Sequence, residues 1–282
     1  AIVLLDYLDG RPDRTDDLVQ AIAAGRLDAG PWFVLGDNLI PSGEALVRNL
    51  LAGREVLARL GGTAPNVLYC PDAFGHPAAL PQIAAGFGLP LCIIWRGFGG
   101  APWPGGDTLR WSSADGSSVL TYHLPPDGYE VGSNLPAAPD DARRRWEQLR
   151  AVLAPRATLG IGLLPNGADH HAVQPNRAAA VEALAAAASP TDVVVSRLQD
   201  FAGALQGRAA RATLPTVRGE LRYSPDYVWS LQGTFGSRAA QKRRNARAER
   251  LLVHEVEPWL ALASARDGIP RQHELASLWR TL

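Results

Sequence analysis

Up to about residue 205 the chain alternates short apolar, β-branched runs with longer alanine-rich stretches, and this alternation constrains the fold more than any other feature. The runs at 31–35, 66–70, 91–95, 118–124, 159–164 and 192–196 read as strands. Several are apolar at nearly every position, as expected of parallel strands covered on both faces. Between them, 13–25, 42–60, 79–87, 139–154, 174–188 and 197–206 read as helices, with Ser42 placed to cap one and Gly61-Gly62 to stop it. Strand and helix in turn mean an α/β fold of βα units around a parallel sheet, closed into a barrel or left open.

The last third breaks the pattern. From Ser237 to Ala265 one amphipathic stretch sets Leu251, Leu252, Val256, Leu260 and Leu262 against an arginine-rich side. A second helix is expected from Arg271 to Leu282, after Gly268-Ile269-Pro270. A boundary near 215–225 therefore separates the α/β part from a helical bundle. The chain contains no methionine and opens inside the apolar run Ile2-Val3-Leu4-Leu5, so it is expected to be an internal segment of a longer polypeptide.

Composition removes several function classes. Twenty-eight basic side chains balance 28 acidic ones, which leaves no cationic excess to bind nucleic acid or an anionic membrane. No apolar run approaches the ~20 residues that span a bilayer. A cytoplasmic protein is the expectation, with a homo-oligomer as its assembly. Cys70 and Cys92 are too few for a disulfide framework or a cysteine zinc site and read as small buried apolar residues.

In parallel α/β folds ligands sit at the carboxyl ends of the strands. Those ends carry Gly36-Asp37, Pro71-Asp72-Ala73-Phe74-Gly75-His76, Arg96-Gly97, Tyr122-His123 and Pro165-Asn166-Gly167-Ala168-Asp169-His170-His171. Two carboxylates flanking one sugar-sized hollow are what glycosidic cleavage needs, one to attack or position and one to protonate the leaving oxygen. Asp and His at such a rim could also bind zinc.

Pro71-Asp72-Ala73-Phe74-Gly75-His76, followed by Leu80-Pro81-Gln82-Ile83, Gly86-Phe87-Gly88 and Trp95-Arg96-Gly97, resembles the catalytic segment of glycoside hydrolase family 38, the zinc-dependent retaining α-mannosidases. The likeness extends upstream through Gly30-Pro31-Trp32 and Ser42-Gly43-Glu44. Downstream it includes Tyr122-His123-Leu124-Pro125, Gly128-Tyr129-Glu130 and Leu164-Pro165-Asn166-Gly167-Ala168-Asp169, which look like the bacterial branch containing mannosylglycerate hydrolases. It implies an incomplete β/α barrel-like catalytic domain over 1–218 and the start of a helical middle domain over 219–282. Asp72 would be the nucleophile and a ligand of Zn2+, and Asp169 the general acid/base. Arg96, Tyr122, Phe74 and His170 would contact substrate, an α-mannoside or a mannosylglycerate-like sugar. The remaining zinc ligands of the family would lie outside residues 1–282. An inactive carbohydrate-binding remnant is the alternative, and a metal-dependent deacetylase on a similar barrel a weaker one.

Plainer roles accompany these. His76 fixes its loop, His123 is structural, Trp32 and Trp95 pack in the core, and Asp37 is either a turn cap or a cleft residue. Glu44 and Arg48 form an i,i+4 or inter-element ion pair, and the charges from Gln241 to Arg250 coat a solvated helix face.

Overall fold

The computed structural model describes residues 1–282. Runs that can be buried on both sides form the parallel part of the sheet: β1 (Val67–Cys70) and β2 (Leu91–Ile94) pair in parallel, and β2 pairs in parallel with β4 (Ser118–His123). β3 (Thr108–Ser112) folds back antiparallel on β4 and carries β5 (Thr216–Arg218) on its other edge, giving the order β1-β2-β4-β3-β5. Alternation along the strands supplies two apolar layers. One face puts Leu68, Cys70, Cys92, Ile94, Leu109 and Trp111 against α3 (Gly43–Arg59) and α4 (Leu80–Gly86). The other puts Val67, Leu91, Ile93, Leu120 and Tyr122 against Phe201 and Leu205 of α7 (Leu198–Ala209).

The sheet is open and mixed, and five strands do not close a barrel. Three expected strands do not form. Over 31–35, the backbone of Phe33 and Val34 is taken by the Asn49 amide, which accepts from both N–H groups and donates to the Val34 carbonyl at 2.9 Å, leaving Val34 and Leu35 exposed. At 159–164, Arg208 captures the Leu159 and Gly160 carbonyls and the Tyr122 hydroxyl accepts from the Leu163 N–H, so side chains replace a neighbouring strand. The 192–196 run leaves Val194 and Val195 in solvent. Conversely, β3 was hidden by its polar content: only Leu109 and Trp111 of its five residues are apolar, and both turn into the core.

The helices lie closer to expectation. Ser42 caps α3 by accepting from the Ala45 N–H at 3.1 Å. α1 (Ile2–Gly10) and α2 (Thr15–Ala23) pack around Phe33, Val56 and Leu60, and α5 (Pro139–Leu153) pairs with α6 (Arg177–Ala188). The stretch expected as one helix from Ser237 runs without interruption from α8 (Ala239–Leu251) through a turn of π-helix at Leu252–Val256 into α9 (Glu257–Asp267). Pro258, which has no N–H to donate, lies just past the π turn. α10 (Gln272–Thr281) follows.

Arg48 joins these helices to the sheet layer. It pairs with Glu44 at 2.7 Å and Glu257 at 2.8 Å, and lies 5.4 Å from the Trp279 ring centre. The 241–250 charge run is not wholly solvated: Glu249 is buried and accepts from the Ser42 N–H at 3.1 Å.

Candidate active site

Asp72 follows β1 by two residues and Arg96 follows β2 by two, so adjacent parallel strands deliver both to one end of the sheet. The Arg96 Nε donates to Asp72 Oδ1, and its Nη1 donates to the Trp229 carbonyl at 2.8 Å. The guanidinium stacks 4.1 Å from the Trp95 ring centre and 5.6 Å from that of Phe74. A cation so placed pairs with the Asp72 carboxylate and orients it. Asp72 and Phe74 line a hollow of about 230 Å³ together with Trp32, Asp37 and Asn38. Asp37 is half-buried there, and burial pushes its carboxyl above the usual carboxylate range.

The other Asp72 oxygen, Oδ2, accepts from the Tyr129 hydroxyl at 3.2 Å. Tyr129 stands in the turn Gly128–Glu130 beyond β4, its ring edge-on to Trp95 at 5.4 Å. Burial, then the charge and hydrogen bond of Asp72, then the charge of Asp169 push this phenol up to about 12, so it remains a donor. The same turn reaches the second carboxylate: Glu130 Oε1 accepts from the Asp169 N–H at 2.9 Å. Asp169 is exposed and does not line the Asp72 hollow, but its charge acts on the phenol that touches Asp72. His170, also exposed and in the left-handed region at φ +59°, brings Nε2 to 3.4 Å from Asp169 Oδ2.

Tyr122 is the correction. Its side chain is fully buried against Phe201, with ring centres 5.0 Å apart, and its hydroxyl accepts from the Leu163 N–H at 3.1 Å. In β4 it falls in phase with Leu120 and Leu124, on the α7 side of the sheet, and cannot face the hollow. Tyr129 is the tyrosine that meets Asp72. The Pro125-Pro126-Asp127-Gly128 turn just after a strand was the signal for it.

Two buried histidines lie near these strand ends. His76 Nδ1 accepts from Asn38 at 3.1 Å, and burial lowers its pKa to about 4. His123 donates from Nε2 to the Trp95 carbonyl at 3.0 Å while Nδ1 accepts from Arg156, and burial followed by the Arg156 charge lowers its pKa to about 3. Cys70 and Cys92 are free and buried. No group of three or more His, Cys, Asp or Glu side chains lies close enough together to hold a metal ion. Asp72 is a single donor already engaged by Arg96 and Tyr129. The donors within residues 1–282 therefore do not by themselves make a zinc centre.

Residues 2–220 match the model of the glycosyl hydrolases family 38 N-terminal domain, and the chain belongs to that family. Among its relatives, a provisionally named mannosylglycerate hydrolase of Halalkalibacterium halodurans is 29% identical over 94% of this chain and 31% of its own length. Human alpha-mannosidase 2C1 is 28% identical over 90% of this chain and 23% of its own. An alpha-mannosidase structure from Enterococcus faecalis superposes with a TM-score of 0.91 at 26% identity, covering all of this chain and 32% of that one. The chain thus spans about a third or less of the proteins it matches. No helix is long and apolar enough to cross a membrane.

Proposed function

We propose that the intact protein is a retaining α-mannosidase and that this chain supplies both catalytic carboxyls. Asp72 attacks the anomeric carbon, forming a glycosyl ester, while Asp169 gives its proton to the departing glycosidic oxygen. In the second half Asp169 takes a proton from water, the water oxygen displaces Asp72, and the sugar leaves with its configuration retained. Arg96 and Tyr129 hold Asp72 in place, with Phe74 offering an apolar wall to the sugar. His170 offers a hydrogen bond to a substrate hydroxyl beside Asp169. The substrate class is an α-mannoside, with a mannosylglycerate-like sugar inside that class. Zinc would require donors additional to Asp72, and every step here is carried by side chains. The division into a catalytic part over 1–218 and a helical part over 219–282, and a cytoplasmic location, belong to the same proposal.

The observation behind it is the pair of engagements on Asp72, a guanidinium on one oxygen and a phenol on the other, in a residue that lines the hollow. Asp72→Ala in the intact protein is expected to cut turnover of an aryl α-mannoside by roughly three to four orders of magnitude. Retained turnover rejects the nucleophile assignment. The alternative is an inactive carbohydrate-binding remnant. It predicts calorimetric binding of mannose-containing ligands by a wild-type protein that never turns them over.

A further inference from the structure

We infer that Glu130 is the positioning residue for the acid/base carboxyl, setting where Asp169 stands relative to Asp72. This rests on the mechanism proposed above. Residues 157–176 contain no helix or strand, so cross-links fix the course of the segment that carries Asp169. Three of them run to the stretch 130–132. The Gly132 N–H donates to the Pro165 carbonyl at 3.1 Å, Asn166 Nδ2 donates to the Gly132 carbonyl at 2.8 Å, and the Asp169 N–H donates to Glu130 Oε1 at 2.9 Å. Only the last grips Asp169 itself.

The anchor at the other end is fixed. Tyr129, adjacent to Glu130, is bonded to Asp72, and the turn rests on the Trp95 ring. Gly128 takes φ +58°, and a Cβ there would come within 2.5 Å of Trp95 Cε2, so the turn cannot carry a larger residue or slide along the ring. Trp95 is tied down in turn by its Nε1–H bond to the Pro126 carbonyl at 3.2 Å. One short turn therefore spans the two carboxyls, rigid at the nucleophile end and ending in the Glu130 side chain at the acid/base end.

The chemistry gives this role a signature. As the C1–O bond breaks and the Asp72–C1 bond forms, the Asp169 proton moves to the leaving oxygen. An alkoxide leaving group needs that proton, whereas a dinitrophenolate departs without it. In the intact protein, Glu130→Ala is expected to lower kcat/KM for methyl α-mannoside by about 10- to 100-fold, a fraction of what general acid catalysis supplies. The loss for 2,4-dinitrophenyl α-mannoside should stay below about threefold. Glu130→Gln keeps an acceptor oxygen and should restore the methyl mannoside rate to within about threefold of wild type. The ratio of the two rates is independent of the fraction of enzyme folded, so poor folding cannot imitate the result. Equal losses on both substrates, or a Gln variant as impaired as Ala, would overturn the role of Glu130. Asp169→Ala run alongside separates the two levels. If Asp169→Ala shows no leaving-group dependence in an active enzyme, the proposed mechanism fails. If it shows the dependence and Glu130→Ala does not, only the present inference fails.

Discussion

The two carboxylates at the heart of this chain have opposite surroundings. Asp72 emerges from a buried parallel strand and is gripped on both oxygens, with its Arg96 partner stacked on Trp95. Asp169 stands exposed on a segment without regular structure, attached through its backbone to one side chain. In the proposed mechanism the nucleophile stays aimed throughout, which favours a dense charged cage. An acid/base group exchanges protons with the leaving group and with water, which favours solvent access and a movable mount.

Acidification should widen this contrast most. His76 and His123 are neutral when folded, with pKa values near 4 and 3 against about 6.5 when unfolded. Below pH 6.5 the unfolded chain binds more protons, so stability is present above that pH and falls as pH drops toward 4. Each histidine contributes a slope of up to about 1.4 kcal/mol per pH unit. The urea midpoint should decline from pH 6.5 to 4.5, and His123→Gln should flatten the decline. An unchanged slope in that variant would show that His123 does not contribute to the titration.

Next in size is Arg96→Lys. A lysine keeps the charge but loses the planar stack on Trp95 and the second donor to the Trp229 carbonyl. Losing part of a charge-assisted network is worth about 1.5–3 kcal/mol, or roughly 10- to 100-fold in kcat. The corresponding change on the loop side, Asn166→Ala, removes a neutral bond and should cost about fivefold or less. If the loop variant proves the more damaging, the two carboxylates depend on their mounts in the reverse order.

Smallest is the contrast between the two tyrosines. Tyr129→Phe deletes one hydrogen bond to Asp72 and should lower kcat by about fivefold with little change in melting temperature. Tyr122→Phe leaves the Leu163 N–H without its acceptor and should cost about 1 kcal/mol of stability while kcat per folded molecule stays constant. Melting curves and active-site-normalised kcat distinguish them. A kcat loss in Tyr122→Phe would return that residue to the site.

That pair also shows where the sequence misled. Strand and tyrosine were both legible at 118–124, but the face was not used: Tyr122 shares parity with Leu120 and Leu124, and a period of two sends all three into one core. The helices were largely legible because caps and alanine-rich periodicity are local signals, as at Ser42. The runs at 31–35 and 159–164 were apolar enough for strands, yet Asn49 and Arg208 reach their backbone from distant helices and take the bonds a strand would have used.

The order of residues by itself determined the family, the alternating α/β organisation, and the polar residues that follow β1 and β2, because each is written in contiguous motifs. Only tertiary structure decided which tyrosine meets Asp72, that the sheet stays open, and that Glu130 reaches Asp169. Those outcomes depend on which distant side chain claims a backbone group first, and short-range pattern carries no record of that competition.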